Sequence, residues 1–472
     1  MMSKLVLVVF FIAIGVFPVS GVVKIMPLGD SITENDQWRY ALCQLLRKNG
    51  LMEKVDLVGS KPMGRGGDWD KGSEGHSGWL ATEILKGCRR EPAAGNLHDW
   101  APAATPDVVL IHLATNDVWR NAGTTSSIIS TLGQIIDVLR TANPQVKIII
   151  AQIIPSTKFY AGALNQQIPK LAYEKSTASS PIFVADMTRG FDPSVDCYDG
   201  AHPNDQGGQK MAAAWLRQVK YLVDPALPDT DPPYLIDALT PAGANTVNAY
   251  FDSPLDPTSA QDPAHYALDH DVTVSRALLE PGGKIVTLAT SRLSPWIEYS
   301  LSVSEKVKDP AGNPVPPREH ISFTYAAGNL VENPSFEIGI PENTIYGWSG
   351  PSVEIDPKNA HSGKRCIRIT GGKTSYIGQA PILDPGTAYT LSFWVKTDGV
   401  SGNNGVAARF IELAPTQIFH PTAWASGTAD WRPLRTSFST AGDFATGRLD
   451  LLWDHTAGTA WLDDVSLTPD KK

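Results

Sequence analysis

The stretches DVVLIHLA (107–114) and VKIIIAQII (146–154) are apolar almost throughout, without the alternation of a strand wetted on one side. Short runs this rich in Val and Ile fit strands buried on both faces, which belong to parallel sheets covered by helices. Three more runs extend the set: VVKIMPL (22–28), VDLVG (55–59) and PIFVADM (181–187). Amphipathic stretches at 36–48, 126–142, 164–177 and 205–220 lie among them. The alternation from Val22 to about Val223 therefore predicts a mostly parallel α/β domain with helices on both faces.

Outside that region the pattern changes. LVDPALPDTDPPYL (222–235) carries Pro225, Pro228, Pro232 and Pro233, so neither a helix nor a central strand continues through it. From 235 to 325, short alternating segments such as TVNAYF, DVTVSRALL, KIVTLAT and EYSLSVSEKV predict an immunoglobulin-like β-sandwich. From 328 to 472, CIRITGG, AYTLSFWVKT, GVAARFIEL, RLDLLW and AWLDDVSL predict a second all-β domain. That part holds six of the 13 tryptophans, Trp348, Trp394, Trp424, Trp431, Trp453 and Trp461. Core packing is the expectation for most of them because of their large apolar area, with one or two rings left to stack on sugar. The predicted layout is a leader at 1–21, an α/β domain at 22–224, a linker at 225–234, and β domains at 235–325 and 328–472.

Composition agrees with three soluble domains: 472 residues at roughly 150 per domain. The net charge of −9 excludes nucleic acid as an expected partner, since phosphate binding needs a basic face. Lys4, the apolar run Leu5–Phe17 and the small pair Ser20–Gly21 read as a secretory signal, implying an extracellular or periplasmic location. The run is shorter than the ~20 residues of a spanning helix, so no membrane span is expected once it is removed. Export permits disulfides, but four cysteines allow at most one pair within the first domain, and their spacing gives no zinc signature.

Four loops carry candidate chemistry. LGDSIT (28–33) sits where a strand ends and a helix begins, which places Ser31 near amide N–H groups that favour developing negative charge. The plainer reading is capping by Asp30, Ser31 or Thr33. In DGAHPNDQGG (199–208), Asp199 and His202 stand three apart, so the carboxylate can hold the ring in the tautomer of a general base; the alternative is a loop histidine beside a helix cap at Asn204 or Asp205. ATND (114–117) offers the Asn116 amide as an oxyanion donor and Asp117 as a loop anchor, and EGHSGW (74–79) offers the Gly78 N–H. His76 is a rival base without a carboxylate at so suggestive a spacing. Most of these loops follow parallel strands, and ligand sites in such sheets gather at the carboxyl edge. Together they supply every part needed for acyl transfer.

With those motifs in view, residues 22 to about 223 resemble the SGNH, or GDSL-like, hydrolases: Ser31 in GDSIT, Gly78 in HSGW, Asn116 in TND and His202 in DGAHPND. The longer strings IMPLGDSIT, EGHSGW and DGAHPND are most similar to acetylxylan esterases of carbohydrate esterase family three. The resemblance implies a flavodoxin-like three-layer fold and hydrolysis of sugar acetyl esters with no cofactor for catalysis. It makes Ser31 the nucleophile, His202 the base and Asp199 its partner, with Ser31 N–H, Gly78 N–H and the Asn116 side chain as oxyanion hole and Asp30 and Asp117 in support. Ala114 departs from the family's usual Gly, which leaves a local backbone change to be expected before Asn116.

NLVENPSFE (329–337) and WLDDVSL (461–467) resemble the edges of jelly-roll carbohydrate-binding modules. That likeness implies a polysaccharide partner and a structural calcium near Glu337 or Asp464; solvated carboxylates are the other reading. The function expected is thus a secreted polysaccharide deacetylase. Its rivals are a non-catalytic carbohydrate-binding or adhesive protein and a lipase or thioesterase of the same superfamily.

Overall fold

The computed structural model describes residues 21–470 apart from 241–244, 295–297, 326–327, 338, 341–343, 346, 352, 373 and 382. Except for Gly21, the expected leader lies outside the described residues. Among the described residues, no helix is long and apolar enough to cross a membrane. All four cysteines are buried and free.

The first domain is built on strands Val23–Gly29 (β1), Val55–Leu57 (β2), Glu74–Gly75 (β3), Val108–His112 (β4), Lys147–Gln152 (β5) and Ile182–Asp186 (β6). They form one parallel sheet in the order β2-β1-β4-β5-β6, with β3 paired to β1. Setting aside the two-residue β3, this is the flavodoxin-like order, in which the chain reverses direction across the sheet between β1 and β4.

The apolar runs work as double-sided strands. Val109 and Ile111 of β4 enter one core with helices Ala81–Lys86 (α1), Leu97–Ala104 (α2), Thr125–Ala142 (α3) and Gly162–Lys175 (α4). Val108 and Leu110 enter the other, beneath helices Gln37–Lys48 and Asp205–Val223. Two helical layers thus cover both faces of the sheet, and its strand ends are left for chemistry.

The second domain is a sandwich of a four-stranded and a three-stranded antiparallel sheet. It packs directly on the first domain. Ile236, Tyr250 and Ile285 share a core with the first domain. The Arg189 and Arg217 guanidinium carbons each lie 4.2 Å from the centre of the Tyr234 ring, and the same arginines pair with Glu319 and Asp252 at 2.6 and 2.7 Å.

The third domain packs a five-stranded antiparallel sheet against a four-stranded one. In Ala388–Ser401, Tyr389, Leu391, Phe393 and Val395 point into the core while Trp394 and Lys396 point out. The expectation of mostly buried tryptophans is corrected here. Trp348 and Trp453 are core residues, whereas Trp394, Trp431 and Trp461 are half-buried and Trp424 is exposed. From Ala388 to Lys396 the even-numbered positions of this strand are simply its outer face.

Candidate active site

Gly29 ends β1 in a crowded place: a Cβ there would lie 2.1 Å from the His112 carbonyl oxygen of β4. The glycine lets the chain turn at once into the short helix Ser31–Glu34. Asp30 is its N-cap, accepting from Ile32 N–H at 3.1 Å. Capping therefore falls to Asp30, and the Ser31 hydroxyl is engaged elsewhere. Burial pushes the Asp30 carboxyl up to about 6, against the opposing pull of the Ile32 hydrogen bond.

The Ser31 Oγ lies 2.9 Å from His202 Nε2, across 171 residues of sequence. On the other side of the ring, His202 Nδ1 is 2.7 Å from Asp199 Oδ2. An ionised carboxylate only accepts, so Nδ1 carries the proton and Nε2 presents its lone pair to the serine hydroxyl. Asp199 is itself held by the backbone N–H groups of Ala201 and His202 at 2.9 and 2.8 Å. Partial burial raises the Asp199 carboxyl, but the hydrogen bonds from His202 and Ala201 outweigh it and leave the group below its ordinary range. The loop is fixed from outside by Ser156 Oγ and Thr157 N–H, which donate to the Gly200 carbonyl at 2.8 and 2.9 Å.

The two loops expected to donate to an oxyanion lie beside each other. Asn116 is buried, and its Nδ2 donates to the Trp79 carbonyl at 3.0 Å; a primary amide has a second hydrogen for another acceptor. Both Asp117 oxygens accept from Ala81 N–H, at 3.0 and 3.2 Å, tying the two loops together. Burial raises Asp117 to about 6. Gly78 adopts φ +74 and Ala114 φ +87. Ala114 thus holds a left-handed conformation that suits the glycine usual at this position.

His76 requires a correction. It does have a carboxylate, because Glu74 Oε1 lies 2.7 Å from its Nε2. Residues 74 and 76 stand two apart where β3 ends, which puts them on one side of an extended chain. Both are fully buried. The ring is also packed against Trp100 and Trp79, at centroid distances of 4.2 and 4.5 Å.

Two residues at the site went unread in the sequence. Tyr198 lies nearly parallel to the His202 ring at 5.7 Å, and Trp119 is tilted 6.2 Å from it. They are 59% and 42% exposed, an unusual degree for large rings beside a polar centre.

In the third domain, the outer face of the four-stranded sheet carries a second polar and aromatic group. Asp450 is fully buried and pairs with Arg409 at 3.0 Å and Arg448 at 2.5 Å. Tyr376 and Phe419 are exposed and lie against those two arginines, Tyr376 by Arg448 and Phe419 by Arg409. The carboxylates expected near calcium have other partners. Glu337 Oε1 accepts from Lys364 and Arg365 N–H, and Asp464 Oδ2 lies 2.6 Å from His361 Nδ1. Among the described residues, no group of three or more His, Cys, Asp or Glu converges as a metal site requires.

Comparison with known proteins matches residues 28–210 to the GDSL-like Lipase/Acylhydrolase family, residues 229–325 to a bacterial Ig-like domain and residues 328–451 to a carbohydrate binding domain. A multidomain esterase of Ruminococcus flavefaciens is 29% identical over 229 residues, covering 43% of this chain. The chain spans only 29% of that relative's length. A carbohydrate esterase family 3 structure from Talaromyces cellulolyticus is 35% identical, covering 44% of this chain and all of its own, with a TM-score of 0.40. An acetyl esterase mutant solved with an acetate ion is 34% identical, with the same coverage and TM-score. Residues 28–210 are thus a GDSL-like hydrolase domain, followed by an Ig-like domain and a carbohydrate-binding domain.

Proposed function

We propose that this protein is a secreted serine esterase that removes acetyl groups from a polysaccharide such as acetylated xylan. The observation that carries the reading is the unbroken contact from Ser31 through His202 to Asp199, at 2.9 and 2.7 Å.

Ser31 Oγ attacks the ester carbonyl carbon as His202 Nε2 takes the hydroxyl proton, and Asp199 stabilises the imidazolium so formed. The carbonyl π electrons move onto oxygen, where the Ser31 and Gly78 N–H groups and the free Asn116 amide hydrogen receive the charge. Collapse breaks the bond to the sugar oxygen, which leaves with the proton from His202. Water, deprotonated by the same imidazole, then releases acetate and restores the serine. No step uses a cofactor.

The sugar reading draws support from Trp119 and Tyr198, whose exposed rings flank His202, since solvent-facing apolar groups beside a reactive centre mark ligand contact. The sequence resemblance to acetylxylan esterases and the carbohydrate-binding domain point the same way. A lipase is the rival that the family description keeps open; it requires faster turnover of long-chain than of acetyl p-nitrophenyl esters. The decisive test is Ser31→Ala, followed by acetate release from acetylated xylan. A loss of ~10³-fold or more is expected, and unchanged release would overturn the reading.

A further inference from the structure

We propose that the active site and the exposed face of the third domain read one and the same polysaccharide chain, with the docked edge of that domain continuing the substrate track. This rests on the esterase reading above.

The two domains meet beside the catalytic rim. Glu332 of the third domain places its carboxylate on the N–H of Thr125, the first residue of α3, where a helix terminus favours negative charge. Burial raises that carboxyl, against the pull of the Thr125 hydrogen bonds. Close by, Asn121 Nδ2 donates to Ser349 Oγ at 3.0 Å. Asn121 stands two residues beyond Trp119, the ring that flanks His202.

The same anchors hold the strand on which the face begins. Glu332 N–H donates to Gln379 Oε1 at 2.8 Å, and Gln379 Nε2 donates back to the Glu332 carbonyl at 3.2 Å. Gln379 ends the strand Ser375–Gln379, which carries Tyr376. Ser349 forms a two-way bridge with Gly378 of that strand, both N–H to O distances being 2.8 Å. A Cβ on Gly378 would lie 2.8 Å from Asp450 Oδ1, so Gly378 faces the side on which Asp450 meets its arginines. Bridged partners share a face, which puts Ser349 at the edge of that surface nearest the active site.

From that edge the face is laid out for a glycan. Gly378, Asp450 and Arg409 are successive partners across three strands, as are Tyr376, Leu452 and Ala407. Leu452, Ala407 and Asp450 are buried and form a floor, while Tyr376 at 37% and Phe419 at 49% exposure stand beside Arg448 and Arg409. Aromatic walls around an Arg–Asp–Arg row suit a neutral chain that offers ring faces and hydroxyls, which acetylated polysaccharide does. His202 and Asp450 are separated by on the order of 20–30 Å along this path, within reach of a short oligosaccharide.

The test uses the full chain and soluble acetylated xylo-oligosaccharides of increasing length. KM should fall with length once the sugar is long enough to enter the face. Tyr376→Ala with Arg409→Ala should remove that fall, raising KM for the long members about tenfold and leaving p-nitrophenyl acetate turnover unchanged. Asn121→Gly, which keeps the positive φ of 50 at that residue, combined with Glu332→Ala, should flatten the length dependence equally while the protein still binds insoluble polysaccharide. If KM ignores length, or if either double variant keeps the length dependence of the parent, the shared track is wrong. Absence of acetate release at every length, with p-nitrophenyl acetate still hydrolysed, would instead defeat the polysaccharide reading beneath it.

Discussion

The α/β domain and the third domain assemble their polar centres by opposite means. In the first, Ser31 and His202 come from loops at the carboxyl ends of strands and meet across 171 residues. In the third, Asp450, Arg409 and Arg448 occupy outward positions on neighbouring strands. Loops can set a proton-transfer distance that a regular surface rarely provides. A pleated face instead gives a repeating row of side chains, which suits binding along a polymer. On the proposed function, reaction rate depends on the first centre and polymer affinity on the second.

The largest expected effect lies in the loops. Asp199→Asn retains the shape of the His202 contact but allows the wrong tautomer, and should lower kcat by ~10²–10⁴-fold with the melting temperature little changed. A variant that keeps full kcat would show that the loop orients His202 without its carboxylate.

Next comes the buried carboxyl beside the nucleophile. With its folded value raised to about 6 from an ordinary 3.8, Asp30 favours folding when protonated. That contribution is complete below the ordinary carboxylate range and is lost as pH rises through the folded value. Asp30→Asn removes the titration, so its stability relative to the parent should improve by on the order of 3 kcal/mol between solution acid enough to protonate an ordinary carboxylate and neutral solution. Denaturant unfolding at the two conditions measures the difference; a constant gap would mean that Asp30 is not protonated by burial.

The smallest effect on turnover should come from the sheet face. Asp450→Ala leaves two half-exposed arginines unpaired and should cost about 1–3 kcal/mol of stability. It should abolish retention on insoluble xylan without changing kcat for p-nitrophenyl acetate. A fall in that kcat would break the separation of roles between the two regions.

The same contrast decides what the sequence could tell. The strands 107–114 and 146–154 were legible because burial on both faces leaves few polar residues in them. The helices Ala81–Lys86 and Leu97–Ala104 were missed, since Gly87, Pro92, Gly95 and Pro102 interrupt their pattern. Short motifs located Ser31, His202 and Asp199. Trp119 and Tyr198 became visible only after folding brought them to His202, because neither spacing nor residue type marks them. Phase did carry one overlooked signal: with Leu391, Phe393 and Val395 inward, Trp394 had to face out. Arg448 shares the strand and phase of Asp450, but the other partner, Arg409, required strand register, which no single strand encodes.

The most direct measurement is reaction with a sulfonyl fluoride, followed by peptide mapping, in the parent and in His202→Ala. A serine activated through His202 should be labelled at Ser31 in the parent and scarcely at all in the variant. Label on another residue, or equal labelling of Ser31 without His202, would contradict the account.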